Sequence, residues 1–150
     1  MPSLNEKLLA DMKEAMKQRE AGKLRLATIR MVRAAQKEAE VARKRELEDE
    51  ELLELIIREV KKRKDAIPEY EKANRPDAVK QLEEEIAVLK EYLPDELDES
   101  ELRRIIRDVI EETRAGSIKD MGKVMQILMP RVRGRADGKV ISQLVNEMLK

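Results

Sequence analysis

The stretch Asp120-Met-Gly-Lys-Val-Met-Gln-Ile-Leu-Met-Pro-Arg-Val-Arg-Gly-Arg-Ala-Asp-Gly-Lys139 decides the fold of the C-terminal part of the chain. Apolar residues recur at helical spacing in its first half, which predicts a helix that Pro130 limits or kinks. The apolar stripe of that helix is Met121, Val124, Met125 and Leu128. Asp137 is expected to cap a last helix. The stripe of the last helix is Ile141, Leu144, Val145 and Met148.

Upstream of this stretch, one more amphipathic helix is expected to complete a small C-terminal domain. Asp98 and Glu101 form a variant capping box, and Gly116 is expected to end the helix. Its stripe is Leu102, Ile105, Ile106, Val109 and Ile110. Ser117 or Asp120 is expected to cap the helix that follows.

The segment from Leu93 to Asp98 predicts a domain boundary, because Pro94 stops the preceding helix. The sequence therefore predicts an N-terminal helical domain over residues 1–94 and a three-helix domain over residues 95–150. No segment shows the alternation of a β-strand, so the predicted fold class is all-α, with long antiparallel helices in the N-terminal domain.

Four helix patterns fill residues 1–94. Ser3 and Glu6 predict a capping box for the first helix, and Gly22 is interpreted as a turn before the second. The first stripe is Leu8, Leu9, Met12, Ala15 and Met16. The second helix is expected from about Lys23 to Arg45. One side of it carries Leu24, Met31, Ala35 and Ala42.

The third and fourth helices are expected to form an antiparallel hairpin. The third begins near Asp49, and Pro68 should kink or end it. The fourth begins at Pro76-Asp77 and carries a coiled-coil-like seam. The seam consists of Leu82, Ile86, Leu89 and Leu93.

Composition excludes several classes of function. The chain contains no Cys and no His, which removes thiolate nucleophiles, zinc-thiolate sites and the commonest general base. It has no Phe or Trp and only two tyrosines, so an aromatic base-stacking platform is not expected. No metal, cofactor or membrane span is expected, and the absence of a signal-peptide pattern predicts a cytoplasmic protein.

The formal net charge of zero conceals three differently charged segments. Residues 1–45 hold twelve basic and six acidic side chains, and residues 115–150 hold seven and three. Residues 46–114 hold thirteen basic and twenty-three acidic side chains. Two basic ends around an acidic middle indicate separate surfaces, although mixed charge also serves to solvate helices.

The 120–139 stretch resembles the signature of YqeY-like proteins of the GatB/YqeY family. Arg25-Leu-Ala-Thr-Ile-Arg-Met-Val-Arg-Ala-Ala-Gln-Lys37 and Glu85-Ile-Ala-Val-Leu-Lys-Glu-Tyr-Leu-Pro94 are also similar to that family. The C-terminal part resembles the tail domain of the B subunit of glutamine-dependent aspartyl/glutamyl-tRNA amidotransferases, a helical module that helps hold tRNA. The resemblance implies an all-helical protein and the inherited label of carbon–nitrogen ligase activity with glutamine as amido-N-donor.

The residues argue against independent amide transfer. Without Cys, a serine would have to release ammonia from glutamine, and three of the four serines stand at expected helix starts. The serines are Ser3, Ser100, Ser117 and Ser142. None has a Gly-rich elbow or a neighbouring base, and no phosphate-cradling loop is present. No catalytic residue is therefore predicted.

Basic residues around the expected loop form the candidate nucleic-acid-binding site. Guanidinium groups match phosphate oxygens, glycines let the backbone approach a ligand, and a helix N-terminus attracts anions. The candidate residues are Lys123, Arg131, Arg133, Arg135, Gly138 and Lys139. The alternative is that these residues only solvate a turn, that Gly134 ends a helix and that Asp137 is only a cap.

A second basic face is predicted on the second helix, where four side chains are spaced by seven, three and four residues. They are Lys23, Arg30, Arg33 and Lys37. They either extend an RNA contact, bind an acidic partner or form an ordinary solvated face.

Two functions from different classes follow. The first is a non-catalytic, tRNA-directed binding protein or adaptor, with tRNA and the aminoacylation or amidotransferase machinery as partners. The alternative is a protein-interaction scaffold that docks through its acidic hairpin, residues 49–93.

Overall fold

The computed structural model describes residues 2–150, and every regular element in that range is helical. The all-α class expected from the sequence is confirmed. The described residues divide into two compact units, one ending at Leu93 and the other comprising Pro94–Lys150. Across residues 2–150, no helix combines the length and apolar content needed to cross a membrane.

The first unit contains four α-helices and one 3₁₀ turn. These are α1 (Leu4–Lys17), the 3₁₀ turn Arg19–Gly22, α2 (Lys23–Arg43), α3 (Asp49–Lys72) and α4 (Pro76–Lys90). Ser3 caps α1 by accepting the N–H of Glu6 at 3.1 Å, but the return bond of the expected capping box is not among the bonds of the described residues. Pro76 occupies the first turn of α4, where its missing N–H has no cost.

The core of the first unit receives side chains from all four helices. Leu8 of α1, Ile29 and Val32 of α2, Ile56 of α3 and Leu89 of α4 are each at most 1% exposed. Full burial of such a side chain contributes about 1.5–3 kcal/mol. This shared core holds the four helices together as one unit.

Two methionines that were expected on buried stripes are half exposed instead. Met16 is 50% exposed and Met31 is 53% exposed. Their neighbours Ala15 and Val32 occupy the buried positions, because one residue of rotation moves a side chain about a quarter-turn around a helix. Ala42 is also exposed, and the buried residues of α2 are Thr28, Ile29, Val32 and Gln36, so its buried side is rotated from the one that the sequence indicated.

Gly22 ends the 3₁₀ turn, and its role differs from that of an ordinary turn glycine. Its φ of −98° is open to any residue. It is buried, and a Cβ atom added to it would lie 2.2 Å from the carbonyl oxygen of Ala15. Glycine is therefore required here because α1 passes too close for a side chain.

α3 and α4 form a hairpin with a buried ionic cluster that the sequence analysis missed. Arg63 of α3 is 5% exposed and donates from Nε to Glu85 Oε1 of α4 at 3.0 Å. Its Nη1 also donates to Glu59 Oε1 at 3.2 Å. The (i, i+4) spacing of Glu59 and Arg63 was visible in the sequence, but their burial was not.

Pro68 does not end α3, which continues to Lys72. A proline removes the hydrogen bond to the carbonyl four residues earlier, here that of Lys64. Pro68 and Lys64 are both exposed, so water can satisfy that carbonyl. The part of the expectation that placed a helix end at Pro68 is wrong.

The turn from α2 to α3 is closed by charged side chains. Lys44 adopts a left-handed conformation after α2, and Glu51 of α3 accepts hydrogen bonds from Arg43 and from Arg45. The hydrogen bonds from Arg45 are the main cause that lowers the pKa of Glu51 to about 2. Glu51 also accepts the N–H of Glu48 at 3.1 Å, which caps the start of α3.

The second unit contains three α-helices around its own core. They are α5 (Glu99–Thr113), α6 (Met121–Val132) and α7 (Gly138–Leu149), with a 3₁₀ turn at Ile118–Asp120. The expected capping box of Asp98 and Glu101 is confirmed, with bonds of 2.8 and 3.2 Å. Fully buried side chains come from all three helices: Ile106, Val109, Val124, Leu128, Val132, Ile141 and Val145.

Gly116 was expected to end α5, and Asp120 was one of two residues expected to cap α6, but both have other roles in the structure. The left-handed residue after α5 is Arg114, with φ of 54°, and Gly116 lies two residues beyond it. The carboxylate of Asp120 accepts the N–H of Gly116 at 2.9 Å and does not cap α6. Asp120 therefore closes the loop that precedes α6.

Candidate nucleic-acid interface

The connection between α6 and α7 gathers the basic residues that the sequence singled out. Arg131 lies in the last turn of α6, and Arg133 is its C-cap. Gly134 has φ of 77°, a left-handed conformation that an L side chain adopts only with strain. The chain then reaches Asp137, which caps α7 by accepting the N–H of Lys139 at 2.8 Å. One short loop thus positions the ends of both helices.

Arg131 forms an ion pair with Glu112 of the same chain. Its Nη1 and Nη2 donate to Oε1 and Oε2 of Glu112 on α5, at 3.1 and 2.7 Å. These hydrogen bonds lower the pKa of Glu112 and raise the pKa of Arg131. The side chain of Glu112 is 50% exposed and that of Arg131 is 43% exposed, so the pair lies at the surface.

Arg135 holds the loop to the start of the second unit. Its Nε donates to the backbone oxygen of Asp95 at 3.1 Å, and its own carbonyl accepts the N–H of Leu97 at 2.8 Å. Both contacts fix the segment that leads into α5. Arg135 therefore positions the segment that leads into α5.

Arg133, Lys139 and Lys123 present their side chains at exposed positions. Gly138 begins α7, and a Cβ atom added there would have no neighbour within 4 Å. The surface beside Gly138 is therefore open to a ligand. Lys123 lies on α6 eight residues before Arg131, which places it about 12 Å along the helix axis.

The N-terminus of α7 offers less to an anion than the sequence indicated. The carboxylate of Asp137 takes one of its N–H groups and places a negative charge at the positive end of the helix dipole. Attraction of an anion here depends mainly on the arginine and lysine side chains.

The second basic face lies on α2 of the first unit. Lys23, Arg30 and Lys37 are exposed. Arg33 is half-buried, and its Nη1 donates to Asn5 Oδ1 of α1 at 3.3 Å. The structure thus leaves three of the four cations of this face at the surface.

Two further features of the structure were missed by the sequence analysis. Glu112 is 19 residues from Arg131 on another helix, and no spacing rule relates such a pair. The other is a cleft of about 260 Å³, where Arg25 donates to Glu91 at 2.8 Å. The hydroxyl of Tyr92 beside it donates to the carboxylate of Asp11.

The hydroxyl of Tyr92 beside the cleft is protonated near neutral pH. Burial, together with the Asp11 carboxylate, raises the pKa of Tyr92 above its ordinary value, so the phenol stays protonated and remains a donor. No group of three or more acidic side chains in residues 2–150 has an arrangement that could hold a metal ion. The contacts of Tyr92 and Arg25 join α1, α2 and the end of α4.

The comparisons with known proteins identify a family. No curated protein matches the chain. The model of a family described as Yqey-like protein matches residues 5–149, a range that extends from α1 to α7. Because this match covers both units, the chain belongs to the YqeY-like family.

Proposed function

We propose that this protein is a non-catalytic, tRNA-directed binding module that works alone or as an adaptor to aminoacylation or amidotransferase machinery. The observation that supports this most is the exposure of Arg133 and Lys139 in and after the loop, together with the open space beside Gly138. The resemblance of the C-terminal part to the amidotransferase tail domain suggests tRNA as the ligand.

The chemistry of the loop suits phosphates of a folded RNA. Arginine forms paired hydrogen bonds with phosphate oxygens, and lysine adds a point charge. Without Phe or Trp, and with its two tyrosines in the first unit, the loop has no ring on which to stack a base. Binding should therefore follow backbone shape and charge, with little dependence on base sequence.

Amide transfer has little chemical support in this chain. The hydroxyl of Ser100 donates to Asp98 at 2.8 Å inside a helix cap, and that of Ser3 caps α1. These two serines therefore lend no support to the inherited label of glutamine-dependent carbon–nitrogen ligase. Release of ammonia from glutamine by the purified chain would restore the label.

The scaffold function through the acidic hairpin is the weaker alternative. Glu59 and Glu85 are buried around Arg63, so they present no charge to a partner. Glu51 contacts Arg45, and Glu91 contacts Arg25. These pairs occupy four of the thirteen acidic side chains in residues 49–93, which weakens the hairpin as a docking surface.

The experiment is a titration of unmodified tRNA by wild type, Arg133→Ala and Lys139→Ala over a series of salt concentrations. Each substitution should weaken binding about three- to tenfold and reduce the salt slope by about 0.7–0.9. Lys80→Ala, an exposed lysine of α4, is the charge-matched control and should bind like wild type. Arg135 is left intact because its loss would disturb the fold.

Absence of tRNA binding by the wild type would refute the proposal. Equal losses in all three variants would refute it as well, since they would show attraction to net charge alone.

A further inference from the structure

Glu112 binds Arg131 in the same paired manner in which an anionic ligand would bind it. Two parallel hydrogen bonds of 3.1 and 2.7 Å join the guanidinium edge to both carboxylate oxygens. A phosphate uses the same edge in the same paired manner. Arg131 therefore cannot keep this pair and also hold a phosphate through that edge.

The pair is weak enough to be displaced. Both side chains are about half exposed, and exposed ion pairs contribute little to stability because water screens them. A polyanion that first contacts Arg133 and Lys139 would bring a phosphate next to Arg131 at high local concentration. A single phosphate would lack that second attachment.

We propose that Glu112 is a specificity-determining residue that occupies Arg131 in the free protein and excludes isolated anions from it. Only a ligand with several phosphates displaces the carboxylate. This inference rests on the proposed function of the α6–α7 loop, because it assigns Arg131 to the same site.

The test compares Glu112→Gln with Glu111→Gln, an exposed neighbour on α5 that loses the same charge. Binding of tRNA and of inorganic phosphate, which is a single isolated anion, is measured for both variants, and again in the Arg131→Ala background. Glu112→Gln should tighten binding of both probes about three- to tenfold relative to Glu111→Gln. The gain should vanish when Arg131 is absent.

Three outcomes separate this inference from the proposed function. Equal affinities of the two glutamine variants, with tRNA bound by wild type, would overturn the role of Glu112 alone. A gain that persists in Arg131→Ala would also overturn it, since Glu112 would then act by general repulsion. Tightening for inorganic phosphate with no tRNA binding would support the role of Glu112 while the tRNA-directed function fails.

Discussion

Gly22 shows how a single residue sets the path between two helices. The carbonyl of Ala15 lies where a Cβ atom of residue 22 would be, so α1 and the start of α2 pack at backbone contact. The sequence marked Gly22 correctly as a break between helices. It could not show whether the glycine served a left-handed turn or a close approach, because that depends on how α1 folds back.

Replacement of Gly22 by Ala should destabilise the first unit by about 1–3 kcal/mol through steric overlap with Ala15. For a unit of this size, that corresponds to a loss of about 5–15 °C in Tm. Thermal unfolding followed by circular dichroism measures it.

Gly122→Ala is the matched control, because a Cβ atom at Gly122 in α6 has no neighbour within 4 Å. Alanine should stabilise that helix by about 0.4–1 kcal/mol. If Gly22→Ala also stabilises the protein, the close contact with Ala15 is not what requires glycine.

At the scale of elements, the hairpin of α3 and α4 combines an apolar seam with a buried charge cluster. The seam was predictable from spacing, since Ile86 and Leu89 are buried as expected. The cluster was not, because Arg63 belongs to a basic run that resembles a solvated helix end. Its burial depends on Glu85, a residue of the opposing helix.

Arg63→Met should destabilise the first unit by about 3–5 kcal/mol, because it leaves Glu85 buried without its cation and Glu59 with only the exposed Lys62. Urea unfolding measures the change. Arg58→Met, at an exposed position of the same helix, should change stability by no more than about 0.5 kcal/mol.

A triple replacement of Glu59, Arg63 and Glu85 by apolar residues should recover most of the loss. A small effect of Arg63→Met would mean that the two carboxylates are satisfied without it.

The elements of the second unit illustrate where prediction from sequence ends. The stripes of α5, α6 and α7 and the capping residues Asp98 and Asp137 were predictable, because each depends on local spacing. The roles of Asp120 and Arg135 were not. Asp120 accepts the backbone N–H of Gly116 within its own loop, and Arg135 donates to the backbone oxygen of Asp95, which only folding brings near.

At the scale of the whole molecule, two units with separate cores carry different charge chemistry. The first unit uses many of its charges internally, in the Arg63 cluster and at Glu51. The second presents basic side chains beside an open backbone at Gly138. Sequence reasoning found the basic residues of the loop but could not distinguish Arg131 and Arg135, which contact other parts of the fold, from the exposed Lys139.

The most direct test of tRNA binding by the α6–α7 loop is an amide NMR titration of the ¹⁵N-labelled protein with tRNA. The five glycines are convenient reporters, since they are distributed over both units. Gly134 and Gly138 should shift at substoichiometric tRNA, while Gly22 and Gly116 should remain unchanged. Shifts confined to residues of the hairpin 49–93, or no shifts at all, would contradict the account.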